Sequence, residues 1–152
     1  MLTQFWGDAL ELLTRPEYNY LAQGCNCFCT MGAGFAKAVA TEYPKVLEVD
    51  RETTSGDKKK LGTFTVAEEK GKTIFNLYTQ FDYGKDKQQL DMKALESCFQ
   101  RLNDYMVEKK INHHTLLIPR IGAGLAGGNW HDIVRCIDAA TPNLTIIVVL
   151  KL

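Results

Sequence analysis

The sequence has no surplus of charge of either sign. Its 152 residues carry 18 Lys plus Arg and 18 Asp plus Glu, for a formal net charge of +0. Non-specific nucleic-acid binding needs a basic excess to neutralise phosphates, so it is not expected as the main role. A local site for a small anion remains compatible with that balance. No apolar run approaches the roughly 18 residues a membrane helix requires, so no membrane partner is expected. No stretch near the start pairs a basic segment with an apolar one, so no secretory signal is read. Cysteines are few and odd in number: Cys25, Cys27, Cys29, Cys98 and Cys136. That pattern fits free thiols and a cytoplasmic location. Cys25, Cys27 and Cys29 would share one face of an extended strand. Their spacing is not a zinc-ligand spacing, so no metal or cofactor is expected. There is no repeat, low-complexity segment or linker, so residues 1–152 read as a single domain.

What is present is an alternation of strand and helix patterns. Strands are expected over 2–6, 18–25, 61–68, 73–79, 115–118 and 144–150. The last is wholly apolar, as in the middle of a sheet covered on both faces. Lys70-Gly71-Lys72 suits a hairpin turn between the third and fourth strands. Helices are expected over 32–43, closed by Pro44, then 45–52, 90–109 and 129–140. In the helix over 90–109, Leu95, Cys98, Phe99, Leu102 and Met106 share one face. The polar stretch 53–60 reads as a mobile loop. Interleaved elements of this kind imply a three-layer α/β/α sandwich with a mixed, largely parallel central sheet.

In open α/β sheets, ligands bind beyond the carboxyl ends of the strands. Three loops take such positions. The first, Asn26 to Phe35, follows a strand and opens a helix; its Gly32 and Gly34 let a backbone approach a ligand closely. Alternatively it is a plain strand-to-helix turn. The second, Ile121 to Trp130, has four glycines within seven residues. Stripping side chains to this extent exposes main-chain N–H groups that can form an anion nest. Together the two loops suggest a diphosphate cradle built from backbone donors. The third is Gly7-Asp8-Ala9-Leu10, where Asp8 either accepts from an exocyclic amine or caps the next helix. Gln80 and Asp82 end another strand and are candidates for orienting or acid/base groups. His131 stands at a helix start beside the second glycine loop, as a proton donor or a surface group.

Four signatures occur in order: GDAL at 7–10, CNCFCTMGAGFAKAV at 25–39, NLYTQ at 76–80 and PRIGAGLAGGNW at 119–130. With Tyr43-Pro44 and Leu61-Gly62 between them, the chain resembles the macro domains, an ADP-ribose-binding family. Within it, the chain looks most like the ADP-ribose 1''-phosphate phosphatase branch. The resemblance implies that Asp8 binds the adenine amine, beside the Ala9 backbone, and that Asn26 binds the distal ribose. It places Met31, Gly32, Ala33, Gly34 and Phe35 in the first phosphate loop. Ile121, Gly122, Ala123, Gly124 and Leu125 would form the second, with Gln80 and Phe81 beside the ligand.

The hydrolase branch that removes ADP-ribose from protein has a Lys at the position of Gln80 and an Asp at that of Ala126. Glutamine cannot form a covalent sugar adduct and alanine cannot act as a base, so that mechanism is not expected. The expected reaction is hydrolysis of ADP-ribose 1''-phosphate to ADP-ribose and phosphate. Asn26 would orient the ribose, and Asp82 or His131 would assist the water. The alternatives are a non-catalytic ADP-ribose reader and an ADP-ribosyl-protein hydrolase with another water-activating group. The expected partners are thus ADP-ribose, a derivative of it, or an ADP-ribosylated protein.

Overall fold

The structure, a computed structural model, describes residues 1–83, 89–122 and 129–151. Six strands form one sheet: β1 (Leu2–Trp6), β2 (Tyr20–Cys25), β3 (Phe64–Glu69), β4 (Lys72–Tyr78), β5 (Thr115–Ile118) and β6 (Thr145–Leu150). Their spatial order is β1-β6-β5-β2-β4-β3. All neighbouring pairs are parallel except β3 with β4. The helices are α1 (Ala9–Leu13), α2 (Gly34–Glu42), α3 (Lys45–Arg51), α4 (Met92–Glu108) and α5 (Trp130–Ala140). The fold is the expected α/β/α sandwich with a mixed, largely parallel sheet.

Side-chain alternation along the strands builds two cores, one on each face. Ala22, Phe75, Leu77, Leu116, Ile118, Ile146 and Val148 pack toward α4 and α5. Their neighbours Leu21, Ile74, Tyr78, Leu117 and Val149 pack toward α1, α2 and α3. Leu95, Cys98, Phe99, Leu102 and Met106 of α4 are all buried, as their spacing implies. The β3–β4 turn also follows the sequence: Lys70 and Gly71 adopt φ +55° and +76°, the twist a two-residue hairpin requires. A polar tie crosses the second core. Asn76 donates to the Val46 carbonyl at 2.9 Å and to Thr65 Oγ1 at 3.1 Å. It accepts from Gln23 Nε2 at 2.9 Å. No helix among the described residues is long and apolar enough to cross a membrane.

Two readings of the sequence are corrected. The extended run ends at Cys25, and Cys29 has φ +58°, so Cys25, Cys27 and Cys29 do not continue one strand face. The stretch 53–60 is not a free loop. It closes with a 3-10 turn over Lys58–Lys60, and Lys60 is buried. The Lys60 ammonium donates to the Cys27 carbonyl at 3.1 Å and lies 4.7 Å from the Tyr78 ring centre. Composition marked the stretch as solvated, but a tertiary acceptor and an aromatic face decide otherwise.

Phe99 is fully buried between α4 and the sheet. Phe99→Ala is expected to lower stability by about 3–5 kcal/mol in urea unfolding, through lost apolar burial and the cavity left.

Candidate functional site

The carboxyl ends of β2, β4 and β5 open into a cleft of about 630 Å³. Parallel pairing brings these ends together: Leu21 lies opposite both Ile74 and Leu117. Gly24 lets the three ends close up, because a Cβ there would meet Thr79 Oγ1 at 2.9 Å and Ile121 Cγ2 at 3.0 Å.

One wall is the start of α2. Ala33 precedes it in extended conformation, and no side chain caps it. The other helices differ. Asp8, Asp91 and Asn129 cap α1, α4 and α5 with their side chains. The first amide of α3, Lys45 N, donates to Glu69 Oε1 at 2.9 Å. The uncapped donors of α2, with the positive end of the helix dipole, therefore face the cleft. Gly32 leaves the approach open, since a Cβ there would meet nothing within 4 Å among the described residues.

The loop between β2 and α2 is held by its own side chains. Asn26 Oδ1 accepts from Phe28 N at 2.8 Å, and Asn26 Nδ2 donates to Thr30 Oγ1 at 2.9 Å. The segment beneath grips it from outside. Gly56 N and Lys60 Nζ both donate to the Cys27 carbonyl, and Ser55 Oγ donates to the Phe28 carbonyl at 3.1 Å. Cys27 N donates to the Phe81 carbonyl at 2.9 Å, joining this loop to the segment that follows β4.

Of the residues singled out in the sequence, Asn26, Met31, Gly32, Ala33, Gly34, Phe35, Gln80, Ile121 and Gly122 line the cleft. Asp8, Ala9, Phe81, Asp82 and His131 do not. Asp8 Oδ1 accepts from Leu10 N at 3.0 Å as the cap of α1, and Ala9 is buried in the core. Phe81 packs edge-on against Phe28, with ring centres 4.9 Å apart. Asp82 accepts from Tyr83 N, while His131 is exposed on the first turn of α5. Ala123, Gly124 and Leu125 lie outside the described residues. Thr79 and Tyr83, which bound the polar stretch around Gln80 and Asp82, also line the cleft, as does Arg120, which was not singled out. Arg120 was legible as the charge that directly precedes the glycine-rich run.

The titratable groups point away from nucleophilic catalysis. Burial, aided by the charge of Asp50, pushes the Cys25 thiol well above its usual range. Burial raises Cys27 to about 11, although Lys60 opposes it. Thiols held protonated in this way are poor nucleophiles. Behind the loop, Asp50 is fully buried; its Oδ1 accepts from the Tyr78 hydroxyl at 2.7 Å, and its Oδ2 has no partner among the described residues. Burial raises the Asp50 carboxyl above its ordinary value, with the Tyr78 hydrogen bond and Lys60 opposing. Among the described lining residues there is no carboxylate, imidazole or lysine, and Arg120 carries the one formal charge. Among the described residues no cluster of His, Cys, Asp and Glu is arranged to hold a metal ion. The cleft is thus equipped to bind an anion through main-chain donors.

A family model described as Macro domain matches residues 22–137. A curated relative, an uncharacterized 17.5 kDa protein in the tk-vs intergenic region of Enterobacteria phage T4, is 40% identical over 148 residues. That match covers 94% of this chain and 92% of the phage protein. Among solved structures, a protein of unknown function from Bacteroides thetaiotaomicron has TM-score 0.84 at 22% identity, over 99% of this chain and 98% of its own. The Thermosipho africanus DarTG structure, solved in complex with ADP-ribose, has TM-score 0.79 at 19% identity, over 99% of this chain and 42% of its own.

Two stability measurements check this geometry. Gly32→Val is expected to leave the unfolding midpoint within about 2 °C of the parent. Gly122→Val is expected to cost roughly 1–3 kcal/mol, because Gly122 has φ +79° and a Cβ would sit 2.7 Å from Leu90 Cδ2. A third concerns Asp50. Its folded pKa is raised, so the folded state binds the proton more tightly than the unfolded chain. Its contribution is therefore full below the ordinary Asp value of about 3.9 and is lost as pH rises through the folded pKa. Asp50→Asn should remove that part of the pH dependence, flattening stability from about pH 4 upward in denaturant titrations.

Proposed function

Because the chain belongs to the Macro domain family, we propose that its cleft binds ADP-ribose and that the protein hydrolyses ADP-ribose 1''-phosphate. The observation that carries the reading is the uncapped start of α2, opened by Gly32 on the cleft wall. Its amides are the donors for the diphosphate, and their dipoles stabilise charge without a basic side chain. Asn26, fixed by its bonds to Phe28 and Thr30, orients the distal ribose. Water attacks phosphorus, the bond from phosphorus to the anomeric oxygen breaks, and that oxygen takes up a proton. Asp82 and His131, both outside the described lining, are the candidates for handling the protons. Asp82 lies two residues beyond Gln80 and next to Tyr83, both of which line the cleft.

A second reading is a non-catalytic reader of ADP-ribose, free or on a modified protein. What favours it is the described lining itself, which offers no carboxylate, imidazole or lysine to activate water.

Calorimetry and phosphate release decide between them. The expected outcome is ADP-ribose binding together with release of phosphate from the 1''-phosphate. Binding without release leaves the reader; no binding removes both. Gly32→Val is expected to weaken ADP-ribose by at least about tenfold, equivalent to 1.4 kcal/mol, with the fold intact. Asn26→Ala should slow phosphate release; an unaffected Asn26→Ala protein would remove Asn26 from the site.

A further inference from the structure

Arg120 is the one charged side chain among the described residues that line the cleft, and no carboxylate within ion-pair distance neutralises it among those residues. Elsewhere on the chain, charges find such uses. Lys70 pairs with Glu42, Arg15 with Glu11, and Lys72 donates to the carbonyls of Arg15 and Tyr18. Arg120 instead lies over an aromatic ring, its guanidinium carbon 5.4 Å from the centre of Trp130. That indole is itself pinned. Trp130 begins α5, is partly buried against the core, and donates Nε1 to Gln4 Oε1 of β1 at 3.2 Å. The main chain on either side is also held: Pro119 precedes Arg120, and Ile121 N donates to the Pro119 carbonyl at 2.8 Å.

A guanidinium stacked on a fixed ring keeps its N–H edge free while losing less freedom on binding than a solvated lysine would. Stacking by itself gives no reason for a charge to face a cleft. An anion does, because an edge-on guanidinium can donate two parallel bonds to one phosphate. The main-chain donors of α2 follow β2, and Arg120 lies two residues beyond the end of β5, the strand next to β2. We infer that Arg120, held by Trp130 and Gln4, is a phosphate-binding residue that grips the ligand's diphosphate from the β5 side of the cleft. This deepens the reading of the cleft as an ADP-ribose site and rests on it. It also assigns the neutral chain a side-chain cation at the ligand in addition to its backbone dipoles.

The test is calorimetry on the full chain with three ligands: ADP-ribose, inorganic pyrophosphate and adenosine. Arg120→Gln is expected to weaken ADP-ribose and pyrophosphate by about ten- to a hundredfold, the span for a lost charge-assisted hydrogen bond. Adenosine, which lacks phosphate, should bind the variant and the parent alike. Arg120→Lys should restore part of the loss, because a point charge replaces the fork. Trp130→Phe should lower affinity for the two phosphate ligands less than Arg120→Gln does. Arg101→Gln, on α4 away from the cleft, serves as the control, and circular dichroism reports folding for each variant. Raising the salt concentration should weaken ADP-ribose less steeply for Arg120→Gln than for the parent. Equal losses for adenosine and ADP-ribose would make Arg120 a stacking residue and overturn the inference. So would unchanged affinity for both phosphate ligands while the parent binds them. If the parent binds neither ADP-ribose nor pyrophosphate, the reading of the cleft falls with it.

Discussion

The parallel pairing of β2 with β4 on one side and β5 on the other is the constraint from which the rest follows. It points three carboxyl ends to the same edge of the sheet, with β2 and β4 ending level at Cys25 and Tyr78. Parallel strands also need long crossovers, so helices fall on both faces and the sheet is buried between two cores. The alternation of Leu21 with Ala22, and of Ile74 with Phe75, serves both cores at once. A one-residue slip of β2 would exchange those faces and displace the start of the loop that reaches α2.

Crowded strand ends leave many polar groups to satisfy, and the hydrogen bonds show where they go. The Cys27 carbonyl accepts from Gly56 N and from Lys60, while Cys27 N donates to the segment that follows β4. Asn26 completes the turn with both ends of its amide. Once these groups are matched, the donors of α2 remain without a side-chain cap among the described residues. A ligand binding there meets a loop already held in place, which reduces the ordering cost of association.

Electrostatics in this molecule is local. Equal numbers of acidic and basic side chains cancel any long-range attraction to a polyanion. The cleft presents the amides at the start of α2 and, among its described lining, one arginine over an indole. Directly behind the loop, a lysine and a carboxyl are both buried, joined through the Tyr78 ring and hydroxyl without a direct ion pair. The cost of burying Asp50 appears in its raised pKa.

The sequence by itself determined the layered architecture, the hairpin at Lys70-Gly71, the buried face of α4 and the glycine-rich start of α2. Each is set by local periodicity or by a backbone conformation that one residue type prefers, so neighbours along the chain suffice to read it. Tertiary structure alone decided which named residues meet. Phe81 turned to Phe28. The charged stretch 53–60 became a clamp because a carbonyl and an aromatic ring from distant segments wait for Lys60. Arg120 gained its orientation from Trp130, and Trp130 from Gln4 on another strand. Such contacts join residues far apart in the chain, and nothing in the local sequence of either partner records them.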